Sequence, residues 1–132
     1  MDSLQTISEI YKVLDNKSAE NIVVLKIRDI SSIADYFVIA SAATNRQTIA
    51  LADNVSFELE KSGLRPRFVE GLSGGGWIVM DYYDVIVHIF LEDQREFYNL
   101  ERLWMDAPAM DMTKNPPEAI PFEQKEITHE QN

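Results

Sequence analysis

The sequence predicts an α/β chain of the α+β type, a sheet of about five strands flanked by helices. Three observations carry that expectation. Trp77 to Asp81 and Asp84 to Phe90 are β-branched and aromatic runs separated only by Tyr82-Tyr83, the pattern of a hairpin. Ile22 to Ile27 and Tyr36 to Ala40 are nearly continuous apolar runs, as in strands covered on both faces, which places them in the middle of a sheet. Around these runs, apolar residues recur at helical spacing behind recognisable caps.

Taken in order, Leu4, Ile7, Tyr11 and Leu14 form the stripe of a first helix that Asp2 and Gln5 can cap and that ends near Asn16-Lys17. After the Ile22 to Ile27 strand, Asp29 to Asp35 has hydrogen-bonding turn formers at both ends and reads as a short ordered connection to Tyr36. Thr44 and Gln47 form a capping box before a helix carrying Ile49, Ala52, Val55 and Leu59 on one stripe, and Gly63 is placed to end it. Arg65 to Glu70 is a short strand, and Pro66 near its start suggests a sheet edge or a strand beginning. Gly71 and Gly74 to Gly76 then supply a flexible connection into the hairpin.

A two-residue loop at Tyr82-Tyr83 sets Asp81 against Asp84, Val79 against Ile86 and Trp77 against His88 on one side of the hairpin. Ile78, Met80, Val85 and Val87 occupy the other side and should line a core. The first set carries a Trp, a His and two Asp; if that face is open, it is a surface for a partner. Glu92 and Asp93 begin a last helix in which Phe97, Leu100 and Trp104 recur, and Asp106-Ala107-Pro108 stops it. The domain is therefore expected over residues 1–108. Residues 109–132, with three prolines and scattered acidic side chains, read as a disordered tail. Met110, Met112, Ile120, Phe122 and Ile127 offer the alternative that this tail lies on its own domain or on a partner.

The length of 132 residues suits a single core. No apolar run approaches the roughly 18 residues that span a bilayer, and no basic or apolar leader is evident, so a soluble, cytoplasmic protein is expected. With no cysteine and two histidines, thiol chemistry, cysteine-bound zinc and a histidine-rich metal site are excluded. The net charge of -10 argues against sequence-independent nucleic-acid binding, which depends on Lys and Arg displacing counterions, and favours a basic protein partner. The charge is uneven, net -4 over residues 1–91 and -6 over residues 92–132.

Several constellations invite a chemical role. Gly74 to Gly76 lacks the Lys and Ser or Thr of a phosphate loop and enters a strand rather than a helix, so a spacer is the simpler account. Asp81, Asp84 and His88 could be the site of a nucleotidyltransferase-type enzyme with paired carboxylates on metal; because the two Asp flank a turn at a sheet corner, turn formation is the favoured explanation of them. Glu58 and Glu60 have a carboxylate-pair spacing, but residues two apart on a helix diverge. No Ser or Thr has an evident claim as a nucleophile beside His88, which favours a structural or interface role. Trp104 fits the core. Trp77, sharing its face with Asp81 and His88, is the better interface anchor. Lys61, Arg65 and Arg67 make a small basic spot consistent with solvated charge.

Asp35-Tyr36-Phe37-Val38-Ile39-Ala40-Ser41 followed by Asn45-Arg46-Gln47 resembles the Iojap-like ribosomal silencing factor family, RsfS. Glu70-Gly71, Gly76 to Asp81, Val87 to Phe90, Arg95, Phe97 to Glu101, Leu103-Trp104 and Asp106 to Pro108 follow the same pattern in order. The resemblance covers about Leu4 to Pro108; Tyr83 departs from it, standing where the family usually has glycine, and should disfavour a type I′ turn. It implies a mixed sheet similar to the nucleotidyltransferase fold without catalytic residues, hence no enzyme and no cofactor. It also implies binding to the fourteenth protein of the large ribosomal subunit, a steric block to subunit joining when nutrients are short, and homodimers. Carried over residue by residue, it implies an interface on Trp77, Val79, Asp81 and His88 with Arg95, Tyr98, Glu101 and Trp104.

Overall fold

A computed structural model describes residues 1–120. Helix α1, Ser3–Asn16, begins at the reciprocal Asp2–Gln5 capping box and buries Ile7, Ile10, Val13 and Leu14. Strands β1, Glu20–Lys26, and β2, Tyr36–Ala42, pair antiparallel across the 27–35 connection. Helix α2, Asn45–Lys61, starts at the Thr44–Gln47 box and turns its Leu51, Ala52, Val55 and Leu59 stripe to the sheet. Strands β3, Phe68–Glu70, β4, Trp77–Asp81, and β5, Val85–Leu91, follow, and β5 pairs parallel with β2. The result is the expected mixed five-stranded sheet, in the order β1-β2-β5-β4-β3. Among the described residues, no helix is long and apolar enough to cross a membrane.

The central position expected of both early strands holds for β2 alone; β1 is an edge. Its apolar run is explained by what covers it. The segment after the last helix runs along that edge, where Lys26 N–H donates to the Pro108 carbonyl at 2.8 Å and Leu25 bridges Ala109. Strands β6, Met110–Asp111, and β7, Glu118–Ala119, then pair with each other, and Met110 packs into the core beneath α1 and α2. Residues 109–120, expected as disordered tail, are therefore laid on the domain, because Ala109 and Met110 have apolar positions waiting for them beside β1. Residues 121–132 of that expected tail lie outside the described residues.

The hairpin differs from expectation by a register step of two. Tyr82 N–H donates to the Val85 carbonyl at 2.8 Å, so the loop is Tyr83-Asp84, and Asp81 faces Ile86, Val79 faces His88 and Trp77 faces Phe90. The cause is Tyr82, whose ring is 3% exposed in the core beside Met80 and is worth more there than in a turn. A slip of two keeps every side chain on its face. Ile78, Met80, Val85 and Val87 do line a core, whereas Asp84 leaves the strand face for the turn.

The glycine connection is packed. Gly75, at φ 74°, lies against the start of α2, where its carbonyl accepts from the Thr48 hydroxyl, and a Cβ at Gly71 would overlap the Trp77 carbonyl oxygen. These glycines serve close approach, and the start of α2 is already capped by its own box.

The last helix is broken in two. Asn99, left-handed at φ 48°, separates α3, Glu92–Tyr98, from α4, Leu100–Leu103. Leu100 is buried and Trp104 half-buried, but Phe97 is 78% exposed, so the expected single stripe does not form.

Candidate functional site

The face of the sheet opposite α1 and α2 carries a run of aromatic rings. Strand alternation puts Phe37 of β2, His88 and Phe90 of β5, and Trp77 of β4 on this face, and α3 and α4 bring Tyr98 and Trp104 over it. Trp77 stacks on Phe90 at 4.9 Å between centroids and lies 4.8 Å from Tyr98; Phe37 meets His88 edge-on at 4.8 Å and Trp104 at 5.2 Å. Offset and edge contacts of this kind hold rings in fixed orientations.

Trp77 and His88 are joined directly. Trp77 Nε1–H donates to His88 Nδ1 at 3.2 Å, which leaves the ring proton of a neutral His88 on Nε2. Burial pushes the His88 pKa down to about 4, so the imidazole is neutral at physiological pH. His88 is thus a support for the indole.

Asp81 is also internal. Its side chain is 3% exposed, accepts from Arg67 Nη2 at 2.6 Å, and accepts from Tyr83 N–H at 2.7 Å. The second bond braces Tyr83, which holds φ 72° although it is not glycine; the Arg67 guanidinium sits 5.3 Å from the Tyr83 ring. Arg67 of the expected basic spot therefore works on this turn, while Lys61 pairs with Glu58 and Arg65 with Glu60.

Asp81, Asp84 and His88 are not gathered at one point. Asp81 faces Ile86, His88 faces Val79, and Asp84 lies in the turn. Among the described residues there is no group of three carboxylate or imidazole side chains able to hold a metal ion.

Of the expected interface, Trp77, Val79 and Trp104 are half-buried, Tyr98 is 47% exposed, and Asp81 and His88 are buried. Arg95 and Glu101 pair with each other at 3.1 Å. Sequence reasoning did not single out Leu103 and Met105, which are 76% and 52% exposed, and read Phe97 as part of one helical repeat with Leu100 and Trp104. The available signal was Asn99, a residue that tolerates the left-handed conformation and so can interrupt the stripe. Exposed Glu92, Asp93, Glu96 and Asp106 flank these apolar side chains in sequence. Glu92 titrates above the ordinary carboxylate range because Glu20 shares a hydrogen bond with it and repels its charge.

Comparison with known proteins gives a consistent result. The chain matches the family described as "Ribosomal silencing factor during starvation" over residues 1–132. It is 39% identical over 98 residues to the ribosomal silencing factor RsfS of Bacillus subtilis, an alignment covering 74% of this chain and 83% of that protein. The RsfS of Haemophilus influenzae is 40% identical over 93 residues, covering 70% of this chain and 91% of that one. A solved structure of a Chromobacterium violaceum protein superposes with a TM-score of 0.77 at 29% identity, covering 79% and 87% of the two chains.

Proposed function

Because the chain belongs to the RsfS family of ribosomal silencing factors, we propose that it silences ribosomes by occupying the large subunit where the small subunit docks. The partner is the fourteenth protein of the large subunit, and the action is steric occlusion without turnover or cofactor. The observation that carries this reading is the surface built around Trp77. A half-buried indole, held from behind by His88 and Phe90, stands beside exposed Tyr98 and Phe97. Rigid aromatic anchors of this kind are enriched among binding hot spots because little side-chain entropy is lost when they dock.

Charge selects the partner. Glu92, Asp93, Glu96 and Asp106, on a chain of net charge -10, attract a basic protein and repel the bare phosphates around it. Trp77, Val79, Tyr98 and Trp104 make the contact, together with Phe97 and Leu103. Asp81, His88, Arg95 and Glu101 support it from beneath.

The test is co-sedimentation of the purified protein with separated ribosomal subunits, scored by whether the large subunits can still join small ones. The expected result is stoichiometric binding to the large subunit alone, with loss of joining. Absence of binding to clean large subunits overturns the proposal, and heat released on titration with Mg-ATP would return attention to an enzymatic role.

A further inference from the structure

Arg95 leaves α3 toward the sheet and is 10% exposed. Its Nη2 and Nε donate to Glu101 Oε2 at 3.1 and 3.3 Å. Its Nη1 donates to Ser41 Oγ at 3.1 Å and to the Glu20 carbonyl at 3.4 Å. One guanidinium thereby ties α3 to α4, to the end of β2 and to the start of β1. Little of its donor capacity is left for anything outside the chain.

Besides Arg95, the two helices meet the sheet through buried Leu100 and through the rings of Tyr98 on Trp77 and of Trp104, which ends α4, on Phe37. No residue of α3 is buried, α4 buries only Leu100, and left-handed Asn99 interrupts the backbone ladder between them. Short helices with so little buried surface do not hold a posture by themselves. Yet they carry Phe97, Tyr98 and Leu103.

We propose that Arg95 is a positioning residue for the partner surface: acting through Glu101, and anchored on Ser41 and the Glu20 carbonyl, it fixes α3 and α4 so that Phe97, Tyr98 and Leu103 are presented beside Trp77. The proposal rests on the docking role above for its consequence, but its physical content concerns the free protein. Lysine cannot replace it, because a single ammonium does not reproduce the planar fork that reaches Glu101 and Ser41 together.

The test uses the full chain and four variants: Arg95→Ala, Arg95→Lys, Glu101→Ala, and Arg95→Ala with Glu101→Ala. Hydrogen exchange followed by mass spectrometry reads residues 92–105 in the free protein, and co-sedimentation reads affinity for large subunits. In Arg95→Ala, exchange over 92–105 should rise about tenfold while α1 and α2 are unchanged, and affinity should fall about tenfold. Glu101→Ala should do much of the same, the double variant should be no weaker than Arg95→Ala, and Arg95→Lys should recover only part of either loss. If Arg95→Ala fails to fold, Arg95→Lys carries the same two readouts.

Unchanged exchange over 92–105 overturns the proposal whatever the partner does. Faster exchange with undiminished affinity also overturns it, because the posture is then not what the partner reads. Additive losses from Arg95 and Glu101, with exchange unaffected by Glu101→Ala, make Arg95 a direct contact and overturn it too. Failure of the unmodified chain to sediment with large subunits defeats the docking role itself, and exchange alone then decides whether Arg95 holds the helices.

Discussion

Against α1 and α2 the sheet presents chiefly aliphatic side chains, whereas its other face presents a chain of rings leading from Phe37 through His88 and Trp77 to Tyr98. On the first face Ile7, Ile10, Leu14, Val55 and Leu59 meet Val38, Ile78, Val87 and Ile89, all fully buried. On the second, α3 and α4 bury only Leu100, and Ile27, Ala34 and Ala107 complete a cover that leaves Trp77 and Trp104 half-exposed. Aliphatic packing at crystal-like density yields stability and has no surface to offer. Rings held by stacking and one hydrogen bond also stabilise where they are buried, as at Phe37 and Phe90, and where their edges are exposed those edges are already ordered. Under the proposed function, the first face folds the chain and the second is the one that recognises.

The division is most severely tested on the helix side. Leu14→Ala, at a fully buried position of α1, should cost about 2–5 kcal/mol of stability in urea unfolding. The molecules that remain folded should bind large subunits as before. A loss of affinity per folded molecule would break the division.

Titration sharpens it from the other side. The His88 pKa is lowered from the ordinary 6.5 to about 4 by burial. Between those values the unfolded chain binds a proton that the folded chain refuses, so stability falls as pH drops from about 6.5 and the loss is complete below about 4. The full loss is about 3 kcal/mol, read as the shift of the urea midpoint with pH. His88→Phe should remove this part of the slope and leave the carboxylate part, and identical slopes in both proteins would show that His88 is not kept neutral by the fold.

Trp77→Ala should weaken large-subunit binding by at least about 2 kcal/mol, or roughly thirtyfold, in co-sedimentation titrations. Its stability cost should be smaller than that of Leu14→Ala, because the indole is half-exposed already. Unchanged affinity in a folded variant removes Trp77 as the anchor.

Much of the aliphatic face was legible in the sequence because it obeys periodicity. Helices α1 and α2 with their capping boxes and the core set Ile78, Met80, Val85 and Val87 follow from residue pattern, although Ile10, Val13 and Leu51 are buried beyond the expected stripes and Leu4, Tyr11 and Ile49 within them are only half-buried. Less of the aromatic face was legible, because its arrangement depends on choices that spacing does not encode. Tyr82 decided the hairpin register by preferring the core to the turn, Asn99 broke a helix whose stripe looked continuous, and Asp81 was drawn inward by Arg67 and Tyr83. The strap over β1 was obscured for a related reason. Prolines and acidic residues made 109–120 look unable to fold alone, and it is ordered by an edge built far earlier in the chain.

Phe97 is where the two faces can be separated most finely. At 78% exposure it contributes little to the fold, so Phe97→Ser should change stability by no more than about 0.5 kcal/mol. Its ring meets Tyr98 edge-on, at 5.1 Å, and is otherwise largely exposed, so its effect on affinity should come by direct contact. Affinity for large subunits should fall about fivefold, roughly 1 kcal/mol, with urea midpoints unmoved. If stability falls and affinity does not, α3 belongs to the fold and the recognising surface shrinks to the sheet. If neither moves while Trp77→Ala still weakens binding, the partner reads the indole and its strand neighbours, and the exposed helices stand outside the contact.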